Sequence, residues 1–215
     1  MTIRSLYDFR QALDGDWAWR KHEIASINLW IKADEKDSPD LQIRLRHAHV
    51  ALYAHWEGFF KTCCKAFIEL YDSLEQPISK VHSGLVAFSL LDLMQSVSAG
   101  KKAYPVVELI DEIRSGTKSI TLDPTKIKTG KLDAAALHGW LRVVGIDATD
   151  ITVPNDLIDN VLVATRNIIA HGSKKPVERN EYLDLATNVE ELLETIKSRF
   201  LQHAEQTLRS VRQTQ

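Results

Sequence analysis

Apolar residues recur through the first third of the chain at steps of three, four or seven, the spacing of helices that bury one face. Two long helices are predicted there, the first ending in the polar run 34–38 and the second running from Pro39 to about Asp72. Pro39 suits the first turn of a helix, where its missing N–H leaves no hydrogen bond unmade. The two buried stripes consist of Leu6, Phe9, Leu13, Trp17, Ile24, Ile27 and Ile31, and of Leu41, Leu45, Ala48, Leu52, Phe59, Cys63, Phe67 and Leu70.

The same period returns in the last third of the chain and predicts two further helices. One follows Pro154 and ends near Gly172, a residue type suited to a helix C-terminus, and the other is long and reaches toward the end of the chain. Their apolar positions are Leu157, Val161, Thr165 and Ile168, and then Tyr182, Leu185, Val189, Leu192, Ile196 and Phe200. Four long helices predict an all-α fold built on a four-helix bundle.

The middle of the chain, roughly 73–150, has a less regular pattern and is interpreted as a mostly helical insertion between the second and third bundle helices. Turn-forming residues fill 115–130, where a small hairpin at 120–127 is one option. No internal repeat, low-complexity tract or Gly/Ser linker divides the sequence, so residues 1–215 are predicted to form a single domain. The helices predicted within the insertion are 84–98, 106–114 and 134–144.

The charge balance gives no global electrostatic reason to expect a nucleic acid or an anionic membrane as partner, since the net charge is −2 and the pI is near 6.4. Any phosphate-binding site must therefore be local. No apolar run approaches the roughly 18 residues that span a bilayer. The two cysteines, Cys63 and Cys64, are adjacent, which suits a reduced compartment better than a disulfide framework. We expect a soluble cytoplasmic protein with no membrane partner.

The common zinc-binding patterns are missing from the sequence, which contains neither H-E-x-x-H nor C-x-x-C. His47 and His49 are two residues apart, so on a helix they point to different sides. We therefore expect no metal ion and no cofactor.

An arginine five residues before a histidine occurs twice, as Arg44 with His49 and as Arg166 with His171. The first pair lies in the opening turns of a long helix among other basic residues, and is interpreted as a solvated face. In the second pair the histidine falls in the last turn of a helix beside Gly172, where a substrate can reach it. A local basic rim follows, formed by Lys174, Lys175 and Arg179.

The segment 165–172, with Arg166 followed by Asn167 and then by His171 at the end of a late helix, resembles the HEPN superfamily, named for higher eukaryote and prokaryote nucleotide-binding domains. The block 52–61, Leu-Tyr-Ala-His-Trp-Glu-Gly-Phe-Phe-Lys, is similar to the branch of bacterial HEPN proteins typified by a pair of Microcystis proteins. The resemblance implies a HEPN-like up-and-down four-helix bundle that dimerises with its two Arg-x4-His motifs facing each other. It also implies a metal-independent endoribonuclease of a toxin–antitoxin or antiphage defence system.

Carried onto this chain, the resemblance makes Arg166, His171 and Asn167 the expected catalytic residues. The chemistry fits, because histidine titrates near neutrality and can move protons, while arginine is a permanent cation that clamps phosphate. The expected partners are RNA, a second copy of the chain, and a cognate antitoxin or a protein encoded by a neighbouring gene. The alternative function is a catalytically inactive HEPN module that binds a nucleotide or a protein partner.

Further residues are expected around this centre. Lys174 and Lys175 are expected to bind substrate. Glu57, which lies among aromatic residues, either orients Arg166 from the second helix or pairs with Lys61 one turn away, and both options stay open. Four residues share a face of the late helix at helical spacing and form the expected contact with a second subunit. They are Asn160, Ala164, Asn167 and His171.

Overall fold

Helices dominate the computed structural model, which describes residues 2–35, 38–91, 104–115, 120–127 and 130–213. Within these ranges the seven α-helices are α1 (Leu6–Ala33), α2 (Pro39–Asp72), α3 (Ser83–Ser89), α4 (Tyr104–Ser115), α5 (Ala134–Val144), α6 (Ala164–Ala170) and α7 (Arg179–Gln213). A π-helical segment, Leu157–Val163, leads directly into α6. Single 3₁₀ turns occur at Ile78–Lys80, Pro124–Lys126 and Ala148–Asp150.

The first two helices begin at serine caps. The Ser5 hydroxyl accepts a hydrogen bond from the backbone N–H of Asp8 at 3.1 Å and donates one to its carboxylate at 2.7 Å, a reciprocal arrangement that fixes the start of α1. The Ser38 hydroxyl caps α2 by accepting a hydrogen bond from the backbone N–H of Asp40 at 3.3 Å, and Pro39 occupies the first turn as predicted. The predicted end of α2 at Asp72 is confirmed.

Helix α2 lies at the centre of the bundle and packs against α1, α6 and α7. Aromatic pairs fill these interfaces: Trp17 of α1 meets Phe59 with ring centroids 5.0 Å apart, and Phe200 of α7 meets Phe60 at 6.1 Å. Each such pair stabilises the fold by about 0.5–1.5 kcal/mol beyond the area it buries. The Trp17 indole also donates to Glu194 of α7 at 2.6 Å. The predicted all-α four-helix bundle is therefore confirmed.

Two hydrogen bonds tie the backbone of Leu132 in the insertion to side chains of α2. The indole of Trp56 donates to the carbonyl of Leu132 at 3.0 Å, and the N–H of Leu132 donates to the hydroxyl of Tyr53 at 2.9 Å. Helix α5 starts two residues after Leu132 and has the predicted bounds. Helix α3 lies so close to the end of α5 that a β carbon on Gly84 would clash with the carbonyl oxygen of Val143.

Two details of the insertion differ from expectation. The hairpin option at 120–127 is wrong: Asp123 accepts hydrogen bonds from the N–H and hydroxyl of Thr125 and bends the chain into a 3₁₀ turn. The N–H of Leu122 bonds to the Asp72 carboxylate at 2.7 Å, at the end of α2. The helix predicted at 84–98 is described as α3 only as far as Ser89, and positions 92–98 lie outside the described residues.

Among the residues described, we find no helix with both the length and the apolar character that crossing a membrane requires.

Candidate active site

The end of α6 is shaped by a glycine in the left-handed region. Gly172, with φ of 86°, donates its N–H to the carbonyl of Ile169 at 2.9 Å, and the next residue, Ser173, donates to Ile168 at 3.2 Å. These two bonds form a Schellman motif, which a residue with a β carbon would strain. Because the chain turns away directly after His171, the imidazole is left exposed at the helix end, as the sequence predicts.

Arg166 is held in place from two sides. Its guanidinium carbon lies 4.5 Å from the centroid of the Tyr53 ring, and its Nη1 donates to the amide oxygen of Asn167 at 2.9 Å. A guanidinium over an aromatic face is stabilised by about 0.5–2 kcal/mol, depending on how far water is excluded. The bond to Asn167 uses one of the five N–H donors of the group, so the arginine is oriented while keeping donors for a phosphate.

Tyr53 is the residue beneath the site that the sequence did not single out. Its side chain is only 2% exposed, and its hydroxyl accepts the bond from Leu132 described above. Burial raises the pKa of Tyr53, and the charge and hydrogen bonding of Glu57 raise it further, while the Leu132 N–H and the Arg166 charge oppose these effects. The phenol therefore stays neutral at ordinary pH. In the sequence, Tyr53 could have been found from its position one helical turn before Glu57.

Glu57 lies one helical turn after Tyr53 and close enough to the Tyr53 hydroxyl to raise its pKa by its charge and by hydrogen bonding. The structure thus places Glu57 next to the ring that supports Arg166. Its predicted role in orienting the arginine stays a prediction.

The three basic residues that follow the end of α6 have different surroundings. Lys174 is exposed, whereas the ammonium of Lys175 turns inward and donates to the hydroxyl of Thr165 at 2.9 Å. Arg179 donates to the backbone carbonyls of Asp34 at 2.9 Å and Glu35 at 3.2 Å, so it ties the start of α7 to the end of α1. Of the predicted rim, Lys174 has the exposure that substrate contact requires.

The predicted subunit face crosses from the π-helical segment into α6. Asn160 is exposed and donates to the carboxylate of Asp156, while Ala164 and Asn167 are half-buried and His171 is exposed. In the π-helical segment the N–H of Ala164 bonds to the Asp159 carbonyl five residues earlier. This wider turn shifts Asn160 away from the regular helical spacing on which the prediction of a shared face relied.

The expectation that Arg44 and His49 both lie on a solvated face is wrong for His49. Arg44 is exposed, as expected for a solvated face, and it pairs with Asp34 at 3.2 Å. His49, however, is only 2% exposed, and its Nε2 bonds to the carbonyl of Leu162 at 3.0 Å. The reason is register: His49 lies four residues after Leu45 and three before Leu52, on the side of α2 that faces α6 and α7. Burial lowers the pKa of His49, with a further contribution from the nearby Lys175 charge.

Within the described part of the chain, no three His, Cys, Asp or Glu side chains come together in a group that could hold a metal ion. The chemistry offered at the end of α6 is that of one fixed cation, one exposed imidazole and one amide.

A family model described as HEPN_MAE_28990-like HEPN matches residues 9–207. The chain belongs to this HEPN family. The match covers the four bundle helices and the insertion, and it confirms the HEPN-like fold that the blocks at 52–61 and 165–172 suggested. Neither the search of curated proteins nor that of solved structures found a match. Family membership supports a nuclease or nucleotide-binding module and suggests RNA binding and dimerisation.

Proposed function

We propose that this HEPN protein is a metal-independent endoribonuclease that acts in a bacterial toxin–antitoxin or antiphage defence system. The observation that carries the proposal is the end of α6, where Arg166 is fixed by Tyr53 and Asn167 and His171 is left open to solvent. A structural arginine and a capping histidine would not need this combination of a held cation and an accessible imidazole.

The reaction follows from the residue types. An imidazole takes the proton of the 2′-hydroxyl, the 2′-oxygen attacks the adjacent phosphorus, and the bond from phosphorus to the 5′-oxygen breaks as that oxygen receives a proton. The products are a 2′,3′-cyclic phosphate and a 5′-hydroxyl end, with no water consumed in this step. The Arg166 guanidinium, oriented by Asn167, neutralises the charge that develops on the phosphoryl oxygens.

A second copy of the chain completes the chemistry. One imidazole cannot take a proton from the 2′-hydroxyl and give one to the 5′-oxygen in the same step, so base and acid must be different groups. Arg166 and His171 are also about 140° apart around a regular helix, which leaves one motif too open to enclose a phosphate. An isologous two-fold interface along the α6 face would bring two such helix ends together and supply both imidazoles.

The deciding experiment is an end-group analysis of RNA cut by purified protein in the presence of EDTA. We expect cleavage to persist and to leave 2′,3′-cyclic phosphate and 5′-hydroxyl ends, because the reaction uses the 2′-oxygen of the substrate and the side chains described above. A strict requirement for Mg²⁺, or 3′-hydroxyl and 5′-phosphate products, would exclude this mechanism.

Assembly is tested separately by sedimentation of the active species. We expect the cleaving fraction to sediment as a homodimer, and a fully active monomer would refute the composite site.

Expression gives a simpler comparison: a toxic nuclease is produced poorly as wild type and well as His171→Ala, whereas a catalytically inactive binding module is produced equally in both forms.

A further inference from the structure

Three consecutive residues of the insertion bridge α2 and the π-helical segment. The backbone of Leu132 bonds to the side chains of Tyr53 and Trp56 on α2, as described above. Two residues later, the N–H of Ala134 donates to the carboxylate of Asp159 in the π-helical segment at 2.8 Å. Because three residues span at most about 10 Å, this bridge limits how far the two helices can move apart.

Asp159 is engaged through both its side chain and its backbone. The carboxylate accepts the bond from Ala134, and the carbonyl accepts the N–H of Ala164, five residues later, which closes the π turn. Such turns are rare and are found often at functional sites. Arg166 follows Ala164 by two residues, so the helix that carries Arg166 starts from a turn that the insertion holds.

These bonds and the contact beneath Arg166 form a closed ring of contacts. The chain leads from Asp159 to Arg166, whose guanidinium carbon lies 4.5 Å from the centroid of the Tyr53 ring. The Tyr53 hydroxyl accepts the N–H of Leu132, and Ala134 leads back to Asp159. Tyr53 and Leu132 are both buried, and packed interiors resist displacement of their side chains. The place of the guanidinium therefore depends on the bond of Asp159 as well as on Tyr53.

We propose that Asp159 is a positioning residue, whose bond to the insertion holds the Arg166 guanidinium over the Tyr53 ring. Asp159 acts through Arg166 and takes no part in proton transfer. Its effect on cleavage rests on the proposed ribonuclease function, whereas its effect on the place of Arg166 does not. The insertion thereby supports the site, since Ala134 and Leu132 supply the bridge.

The place of Arg166 is measured by nuclear magnetic resonance of its side-chain Nε–H group. The full-length protein carries isotope-labelled arginine, and the signal is assigned by its absence from Arg166→Ala. An aromatic ring moves the resonance of a proton near its face upfield. We expect Asp159→Ala to shift the signal downfield, toward that of the exposed Arg10. Asp159→Asn keeps an oxygen that accepts the N–H of Ala134 and should keep the wild-type signal.

The consequence for the reaction is measured by single-turnover cleavage of RNA. We expect Asp159→Ala to lower the rate by about 10–100-fold, the loss that a displacement of about 1 Å causes in a positioned group. Asp159→Asn should cleave at close to the wild-type rate. In an Arg166→Ala background, Asp159→Ala should have no further effect, because the two residues act as one unit. A general loss of stability would lower the rate in both backgrounds.

Asp147→Ala is the matched control within the insertion. Its carboxylate also accepts a backbone N–H, from Thr149 at 2.9 Å, but this bond stays within a single turn of the insertion. The Arg166 signal and the cleavage rate should both be unchanged in this variant. Circular dichroism melting confirms that each variant folds. If Asp159→Ala does not fold, Asp159→Leu replaces it, since leucine fills the space of the carboxylate without an acceptor.

An Arg166 signal that stays in place when Asp159 loses its acceptor would overturn the proposal, and so would an Asp159→Asn protein that behaves like Asp159→Ala. These results do not depend on whether the wild type cuts RNA. If the signal moves as expected but the wild type cleaves nothing, the ribonuclease proposal fails while the positioning role stands. If the wild type cleaves RNA and Asp159→Ala changes neither signal nor rate, the positioning role fails while the ribonuclease proposal stands.

Discussion

The same spacing of arginine and histidine occurs at two places in this protein and has two different structures. At the end of α6, Arg166 lies on an aromatic ring and His171 is exposed. Near the start of α2, Arg44 extends into solvent toward Asp34, and His49 is buried against the carbonyl of Leu162. In the pair on α6, neighbouring side chains fix the arginine and the histidine is exposed. In the pair on α2, the histidine is buried and the arginine is exposed.

The difference shows that context, rather than spacing, decides what the pair can do. Gly172 ends α6 one residue after His171, so no further turn of helix covers that ring. Helix α2 continues for more than twenty residues beyond His49, and the side of the helix that carries this ring faces its neighbours. In this protein the pair at a helix end leaves its histidine in solvent, whereas the pair within a helix is divided between solvent and core.

The largest effect should come from the α6 pair. We expect His171→Ala and Arg166→Ala to lower the rate of RNA cleavage by about 10²–10⁴-fold, the range usual for loss of a positioned proton-transfer or charge-stabilising group. For His171→Ala the free energy of unfolding should change by less than about 0.5 kcal/mol, since the side chain is exposed. Cleavage assays and urea denaturation on the same preparations measure both quantities. A His171→Ala protein that unfolds would assign this residue to structure.

His49 should show the opposite pattern, with its main effect on stability. His49→Ala removes a buried ring and leaves the carbonyl of Leu162 without its donor. We expect the free energy of unfolding to fall by about 2–4 kcal/mol, from the cavity and the lost hydrogen bond together. His47→Ala on the same helix is the control and should stay within about 0.5 kcal/mol of wild type. Equal stability of the two variants would mean that His49 is not held as described.

The sequence predicted the bundle well because its helices have long, regular apolar stripes. It also placed Arg166 and His171 close to the end of a helix, since Gly172 marks that end, while their catalytic role stays a prediction. It could not place His49, because a histidine on the edge of an apolar stripe is compatible with either solvent or core. The π-helical turn before α6 has no sequence signature of its own, so the shift of Asn160 was not predictable. The inward turn of Lys175 depends on Thr165, ten residues earlier, a contact that only the tertiary structure creates.

Acidification should destabilise the protein through its buried histidines. Burial lowers the pKa of His49, His55 and His203 below the ordinary value of 6.5. Their neutral forms therefore stabilise the fold fully above pH 6.5, and this contribution is lost as the pH falls from 6.5 through the folded-state pKa values. We expect the free energy of unfolding in urea to decrease from pH 7.5 to pH 5.5.

The His49→Gln variant sharpens this test, because it keeps a donor for Leu162 but cannot take up a proton. Its stability should depend less steeply on pH than that of the wild type. Four aspartates whose pKa values are lowered from 3.8 act at lower pH and do not affect this range: Asp8, Asp123, Asp133 and Asp147. Stability that is constant or rises between pH 7.5 and 5.5 would contradict the burial of these histidines.

The smallest effect should come from Arg44, the arginine of the pair on α2. Its guanidinium is about half exposed and lies 3.2 Å from the carboxylate of Asp34, and surface ion pairs of this kind contribute about 0–1 kcal/mol. We expect Arg44→Ala to lower the free energy of unfolding by no more than that, and less at 1 M salt, where the attraction is screened. Cleavage of RNA should be unchanged, in contrast to Arg166→Ala. Because both arginines precede a histidine by five residues, a loss of cleavage in Arg44→Ala equal to that in Arg166→Ala would show that spacing, rather than the end of the helix, determines activity.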